Sequence, residues 1–167
     1  MAPLSKGKGR QTHNIWICKP GENSNRGYGI DITSSFSAIR ALASEKCGGG
    51  RTLIVQKYLE NPLLYNKRKF DIRCFVLVTT VRGVVKGYWY EEGYLRTASK
   101  EFHLKYLSNK FMHLTNDAIQ QRGEEYGKFE GHNKVTYPEF AKYLEQSTPS
   151  PTQTIIPPKA SYSPSSK

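Results

Sequence analysis

"KFDIRCFVLVTT", residues 69–80, is the stretch whose reading decides the architecture. Its side chains alternate as a strand requires: Lys69, Asp71 and Arg73 share a face that continues as Phe75 and Leu77, and Phe70, Ile72, Cys74, Val76 and Val78 share the other. An ordinary two-sided strand gives its charges to water and its apolar groups to the core. A face that turns from charged to apolar midway suits the floor of a cleft. The plainer alternative is an edge strand lined with charge against aggregation.

Outward from this strand the chain alternates short strands and helices. Upstream, "RTLIVQKYLE" (51–60) is closed by Asn61 and Pro62 and reads as a buried strand running into a turn. Before it, "SSFSAIRALASEK" (34–46) carries Phe36, Ile39, Leu42 and Ala43 at helical spacing, with a serine N-cap and "GGG" (48–50) as a stop. "NIWICK" (14–19) is a strand that ends on Lys19. Downstream, "VVKGYWYEEGYLRTAS" (84–99) reads as a hairpin of two aromatic-rich runs around an acidic turn, with Arg96 on the second arm. "TYPEFAKYLEQ" (136–146) has a capping box, Thr136 with Glu139, a proline in the first turn, and Tyr137, Phe140 and Leu144 on one stripe, so a helix is expected. The class is therefore α+β. The expected organisation is a basic, flexible start (1–13), one domain (14–146), and a Ser/Pro-rich disordered tail (147–167) too poor in apolar residues to offset the entropy of ordering.

Composition narrows the partners. The 167 residues contain 25 Lys and Arg against 14 Asp and Glu, a formal charge of +11, which directs the chain to anionic partners. The three cysteines, Cys18, Cys47 and Cys74, are odd in number and form no C-x-x-C pair, which speaks against a disulfide framework or zinc ribbon and fits a reducing, intracellular setting. The first residues lack the apolar run of a signal peptide and no stretch is long enough for a membrane span, so no membrane partner is expected. The four histidines show no metal-ligand spacing, and no G-x-S-x-G is present.

Two stretches carry anion chemistry. "KPGENSNRGYGI" (19–30) sets Lys19 at a strand end before a glycine loop whose backbone N–H groups can approach an anion, with Arg26 adding charge. It is neither a P-loop nor a dinucleotide fingerprint, and a plain surface turn is the alternative. "HLTN" (113–116) offers short hydrogen-bonding side chains, and the plain reading is a helix cap by Thr115 or Asn116.

Taken together, "WICKPGENSNRGYGI", "IVQKYLENPLL", "KFDIRCFVLV", "YLRTASKEF", "HLTNDAIQ" and "YGKFEGHN" occur in the order of the tubulin-tyrosine ligase family, and the chain resembles its central portion over roughly residues 15–146. The resemblance implies a partial ATP-grasp-like fold, a mixed sheet with flanking helices, and an ATP- and magnesium-dependent ligase. Such an enzyme activates a carboxylate as an acyl phosphate and joins it to an amine, adding tyrosine, glutamate or glycine to tubulin. By the same resemblance Lys19 and Lys69 contact phosphate, and Arg26, Gly27 and Gly29 belong to a phosphate-covering loop. Gln56, Lys57, Tyr58 and Leu59 read the adenine edge, and Asp71, Thr115 and Asn116 lie near the nucleotide. Arg73 and Arg96 hold carboxylates of the tubulin tail or the incoming amino acid, with Lys69 and Arg96 the catalytic pair. Acidic tubulin tails would suit the positive charge, in the cytoplasm and cytoskeleton, including cilia.

The family's acidic magnesium ligands lie further along, where this chain has its Ser/Pro-rich tail, so no metal ligand is assigned and an incomplete ligase is expected. The alternative is a non-catalytic tubulin- or microtubule-binding module derived from such a ligase. Generic nucleic-acid binding rests on charge and scattered tyrosines alone, and no nucleic-acid partner is expected.

Overall fold

The computed structural model describes residues 13–22, 25–47 and 51–147. Residues 1–12 of the expected flexible start, the "GGG" stop and the tail beyond Ser147 lie outside these residues, while His13 is described and its amide donates to Glu60 at 2.8 Å.

The N-terminal part is a three-stranded antiparallel sheet of order β2-β1-β3, from β1 (Trp16–Pro20), β2 (Asp31–Thr33) and β3 (Leu53–Lys57). Helix α1 (Phe36–Lys46) forms where the sequence places it, and the hydroxyl of Ser35 accepts from the Ala38 amide as its N-cap. None of its residues is buried, and Phe36, expected on the packed stripe, is 78% exposed. The strand at 51–60 is likewise not a buried one: β3 is the outer strand of its sheet, and Ile54 and Val55 are exposed. A run of β-branched residues fits a strand of either kind, so the sequence does not separate the two.

The second sheet has the order β4-β5-β6-β7 and is dominated by one long hairpin. Its strands are β4 (Leu64–Tyr65), β5 (Arg68–Val81), β6 (Val84–Glu101) and β7 (Lys134–Thr136). The hairpin does not turn at the acidic segment, as the aromatic runs suggest, but between β5 and β6. Arg82 and Gly83 both have positive φ (51° and 79°) between the paired Val81 and Val84, as a tight two-residue turn needs. The glutamates and Gly93 fall instead at a register irregularity between Arg73 and Phe75. Gly93 is required there, since a Cβ would lie 2.4 Å from the Arg73 carbonyl oxygen. All strand pairing among the described residues is antiparallel, which refines the expectation of a mixed sheet within the α+β class.

Short helices α2 (Lys110–His113) and α3 (Asp117–Gln120) cover the base of the hairpin, and α4 (Tyr137–Ser147) packs across β6 and β7. The capping box of α4 forms: the Glu139 carboxylate accepts from the amide and hydroxyl of Thr136 at 2.8 and 2.7 Å. Its stripe buries Phe140 against Leu95 and Val135, with Tyr137, Tyr143 and Leu144 beside them.

Beneath this apolar cluster lies a polar one. Arg68, 2% exposed, makes a bidentate pair with Glu130, and its Nη1 also reaches the Ala98 carbonyl at 3.3 Å. The Gln120 side chain accepts from both the amide and hydroxyl of Ser99, while Asn133 donates to the Thr97 carbonyl and the Ser99 hydroxyl. These bonds fix the end of β6, and with it Arg96.

Candidate functional site

The charged face of β5 divides at the hairpin base into two neighbouring clusters. In the first, Lys19 at the end of β1 and Lys69 at the start of β5 are close enough for Lys19 to act on the ionisation of Lys69. Lys19 donates to the Gln56 side-chain carbonyl at 2.7 Å, and Lys69 donates to the Tyr58 hydroxyl at 3.0 Å with its ammonium 4.5 Å from the centre of that ring. Both acceptors are neutral, and neither lysine is recorded in an ion pair among the described residues. Burial, and then the charge of Lys19, push Lys69 down to about 8. Such a pair gains from an anion, so its chemistry fits the phosphates of a nucleotide.

The second cluster is built around Asp71. Its carboxylate accepts from Arg96 Nε at 3.0 Å and Nη2 at 2.7 Å, and from the Thr115 hydroxyl. The register that sets Asp71 opposite Arg96 makes this pairing possible. The bond to Asp71 holds the Arg96 guanidinium firmly protonated. Beside it, a cavity of about 260 Å³ is lined by Arg26, Arg96, Asn116, Asp117, Ala118 and Gln121. Asp117 brings to it a buried carboxylate oxygen, Oδ1, that has no hydrogen-bond partner among the described residues.

The glycine loop reaches this cavity. Arg26 and Gly27 both have positive φ (58° and 84°), and a Cβ on Gly27 would stand 2.8 Å from the Asn116 side-chain oxygen. Gly29, also at positive φ, is anchored elsewhere: its carbonyl accepts from Lys46, which pairs with Asp31.

Of the residues singled out by sequence, Lys19, Gln56, Tyr58 and Lys69 come together in one cluster. Arg26, Gly27, Asp71, Arg96, Thr115 and Asn116 come together around the other. Lys57 is turned to Glu60 at 2.9 Å and lies over Trp16, and Leu59 is exposed. Arg73 is exposed, and its backbone carbonyl accepts from Tyr137. Neither Thr115 nor Asn116 caps a helix through its side chain: Thr115 serves Asp71, and Asn116 precedes α3 without a cap bond. Sequence reasoning missed Asp117 and His113 as site members. His113 sits in the "HLTN" stretch, but nothing in its spacing signals the buried bond it makes to Tyr58 at 2.8 Å.

Magnesium is a different matter. Among the described residues no three His, Cys, Asp or Glu side chains gather into a group that could hold a metal ion.

Two antiparallel sheets with flanking helices, with a lysine pair and an Asp71–Arg96 cluster at the base of the hairpin, define a partial ATP-grasp-like α+β protein. The family model described as "Tubulin-tyrosine ligase family" matches residues 3–158, and the chain belongs to this family. It is 40% identical over 136 residues to "Probable tubulin polyglutamylase TTLL2" of Homo sapiens, covering 79% of this chain and 21% of that protein. It is 43% identical over 117 residues to "Tubulin glycylase 3D" of Tetrahymena thermophila, covering 70% and 11%. To "Tubulin glycylase 3B" of Drosophila melanogaster it is 42% identical over 111 residues, covering 66% and 14%. The chain thus spans about a fifth or less of the length of these relatives.

Proposed function

We propose that this chain forms the nucleotide-binding and carboxylate-holding part of an ATP-dependent carboxylate–amine ligase that adds an amino acid to the acidic tails of tubulin. The observation that carries the reading is the Lys19–Lys69 pair, two ammonium groups brought together with neutral acceptors and no ion-pair partner among the described residues. The names of the relatives, which modify tubulin, support the substrate.

When bound, ATP supplies the phosphoryl group that activates a carboxylate. In this reading Lys19 and Lys69 hold its phosphates, and a bound anion restores the full charge of Lys69. The left-handed Arg26–Gly27 turn brings backbone and guanidinium over the cavity. The backbone of Gln56, Lys57, Tyr58 and Leu59 reads the adenine edge, with Asp71, Thr115 and Asn116 alongside. Asp71 takes Nε–H and one Nη2–H of Arg96, so the second Nη2–H and both Nη1–H groups are left for a substrate carboxylate. Arg73, exposed on the same strand, meets the acidic tail. No step is assigned to magnesium. The setting that follows is cytoplasmic and cytoskeletal, cilia included.

Calorimetric titration of ATP into the protein, with Lys69→Ala alongside, tests the site. Binding is expected in the parent and loss of binding in the variant, with the circular dichroism spectrum and melting temperature retained. Unchanged affinity in Lys69→Ala would sink the assignment. Labelled tyrosine, glutamate or glycine offered with tubulin then tests the ligase. The charge of +11 favours one second reading, a module that binds tubulin tails without chemistry. It predicts microtubule co-sedimentation that disappears when the tails are removed, with no label transferred.

A further inference from the structure

Lys69 sits at the head of a buried hydrogen-bonded chain that the proposed ligase reading does not use. Lys69 Nζ donates to the Tyr58 hydroxyl at 3.0 Å, that hydroxyl meets His113 Nδ1 at 2.8 Å, and His113 Nε2 meets the Tyr106 carbonyl at 3.0 Å. Tyr58 and His113 are 3% and 2% exposed, so water does not compete for these bonds. The ring of Tyr58 meets His113 edge-on at 5.6 Å, and Phe102 packs on the imidazole in the same way.

The direction of the chain is fixed by its last member. A carbonyl only accepts, so Nε2 carries a proton, and in the neutral imidazole that burial favours Nδ1 is bare. The bare Nδ1 accepts a hydrogen bond from the Tyr58 hydroxyl. What Tyr58 then presents to Lys69 is oxygen lone pairs, to which an ammonium donates more strongly than a neutral amine. Were His113 unable to accept, the hydroxyl proton could turn towards Lys69 and favour the uncharged amine.

We propose that Tyr58 and His113 are positioning residues for Lys69, with the neutral Nε2–H tautomer of His113 orienting the Tyr58 hydroxyl so that Lys69 is held charged and aimed at the phosphate site. The proposal rests on the reading of Lys69 as a phosphate contact, but its effect on Lys69 can be measured without nucleotide.

Among the described residues the titratable groups facing Lys69 are Lys19 from β1, Tyr58 just after β3 and His113 from α2. Burial raises the Tyr58 phenol and lowers the His113 imidazole, so both are neutral around pH 7. Lys69 is the group that titrates just above that, at about 8. The chain would fail as pH rises through the Lys69 midpoint, and again at low pH when His113 gains a proton on Nδ1.

The test uses amide side chains that keep one arm of the imidazole each. In His113→Asn the side-chain oxygen stands near the place of Nδ1 and keeps the acceptor for Tyr58. In His113→Gln the side-chain nitrogen stands near Nε2 and keeps the bond to Tyr106. Tyr58→Phe removes the hydroxyl and leaves the ring. The Lys69 midpoint is read from its Cε–Hε nuclear magnetic resonance signal, assigned by its loss in Lys69→Arg, after melting curves show that each variant is folded. Tyr58→Phe and His113→Gln are expected to lower the midpoint by about one pH unit, and His113→Asn to leave it near that of the parent. ATP affinity in the first two should fall about threefold at pH 7.5, the ratio of charged Lys69 expected for that shift, and approach the parent value at pH 6.5. A midpoint that is the same in all four proteins overturns the positioning role. So does His113→Gln behaving as the parent while His113→Asn does not. If the midpoints move as expected but the parent binds no ATP at any pH, the ligase reading fails and the orientation of Lys69 by Tyr58 and His113 stands.

Discussion

Arg68 to Arg73 and Tyr94 to Glu101 form the base of the long hairpin, and residues 75–90 form its distal ribbon. The two regions share strands, pairing pattern and a supply of Val, Leu, Phe and Tyr. At the base, β4, β7 and the three helices that follow β6 cover the sheet, and Leu95 and Thr97 to Ser99 are buried. In the ribbon the large apolar side chains, from Phe75 to Tyr90, stand 46–66% exposed. Alternation of side chains thus makes a strand, but it does not make a core. Burial depends on the elements the chain returns to the sheet, and among the described residues they return to the base, where the charged residues of the candidate site are.

The sharpest way to break this contrast is Glu130→Ala, which leaves the guanidinium of Arg68 buried without its carboxylate. Urea unfolding should show a loss of about 3–5 kcal/mol. Leu95→Ala, in the apolar cluster of the base, should cost roughly 3 kcal/mol by the same measurement. Lys69→Met tests the site itself. Lys69 titrates at about 8 in the folded chain, against 10.5 normally, so between these values the unfolded chain binds the extra proton and stability rises with pH. Below that window the burial of the charge costs stability. The variant should gain roughly 2 kcal/mol at pH 7 and lose the slope between pH 8 and 10.5. Thr136→Ala removes the capping box of α4 and should cost about 1 kcal/mol. The smallest effect is expected in the ribbon, where Leu77→Ala should stay within about 0.5 kcal/mol. A loss there comparable to that of Leu95→Ala would mean that the ribbon is covered in solution and that the contrast is wrong.

The sequence made the local signals legible. The Ser35 cap, the Thr136–Glu139 box and the period-two face of Lys69, Asp71 and Arg73 each need only neighbours a few residues away, and all were readable. Both readings of that face hold for different halves of β5: it borders the candidate site near Lys69 and Asp71 and is an exposed edge further on. The position of the hairpin turn was not readable, because Arg82–Gly83 and the Glu91–Gly93 segment both carry turn chemistry and only the global pairing decides between them. The buried hydrogen bonds were equally hidden. Asp71 with Thr115, Tyr58 with His113 and Arg68 with Glu130 are separated by 44, 55 and 62 residues, and no periodicity links them. Asp71, Thr115 and the lysines entered through resemblance to a family, whereas the partner of each came only from the fold.

The buried bonds at the end of β6 have a consequence for how the hairpin chooses its alignment. In the ribbon, sliding one strand past the other by two residues exchanges one apolar side chain for another and keeps every residue on its face, so the ribbon discriminates weakly between alignments. At the base the same slide would strand the Ser99 amide, the Thr97 carbonyl and the side chains of Gln120 and Asn133 without partners. The choice is therefore made there, three residues from Arg96, and is transmitted along the whole hairpin. Ser99, Gln120 and Asn133 need never touch a ligand to determine which residue Asp71 faces.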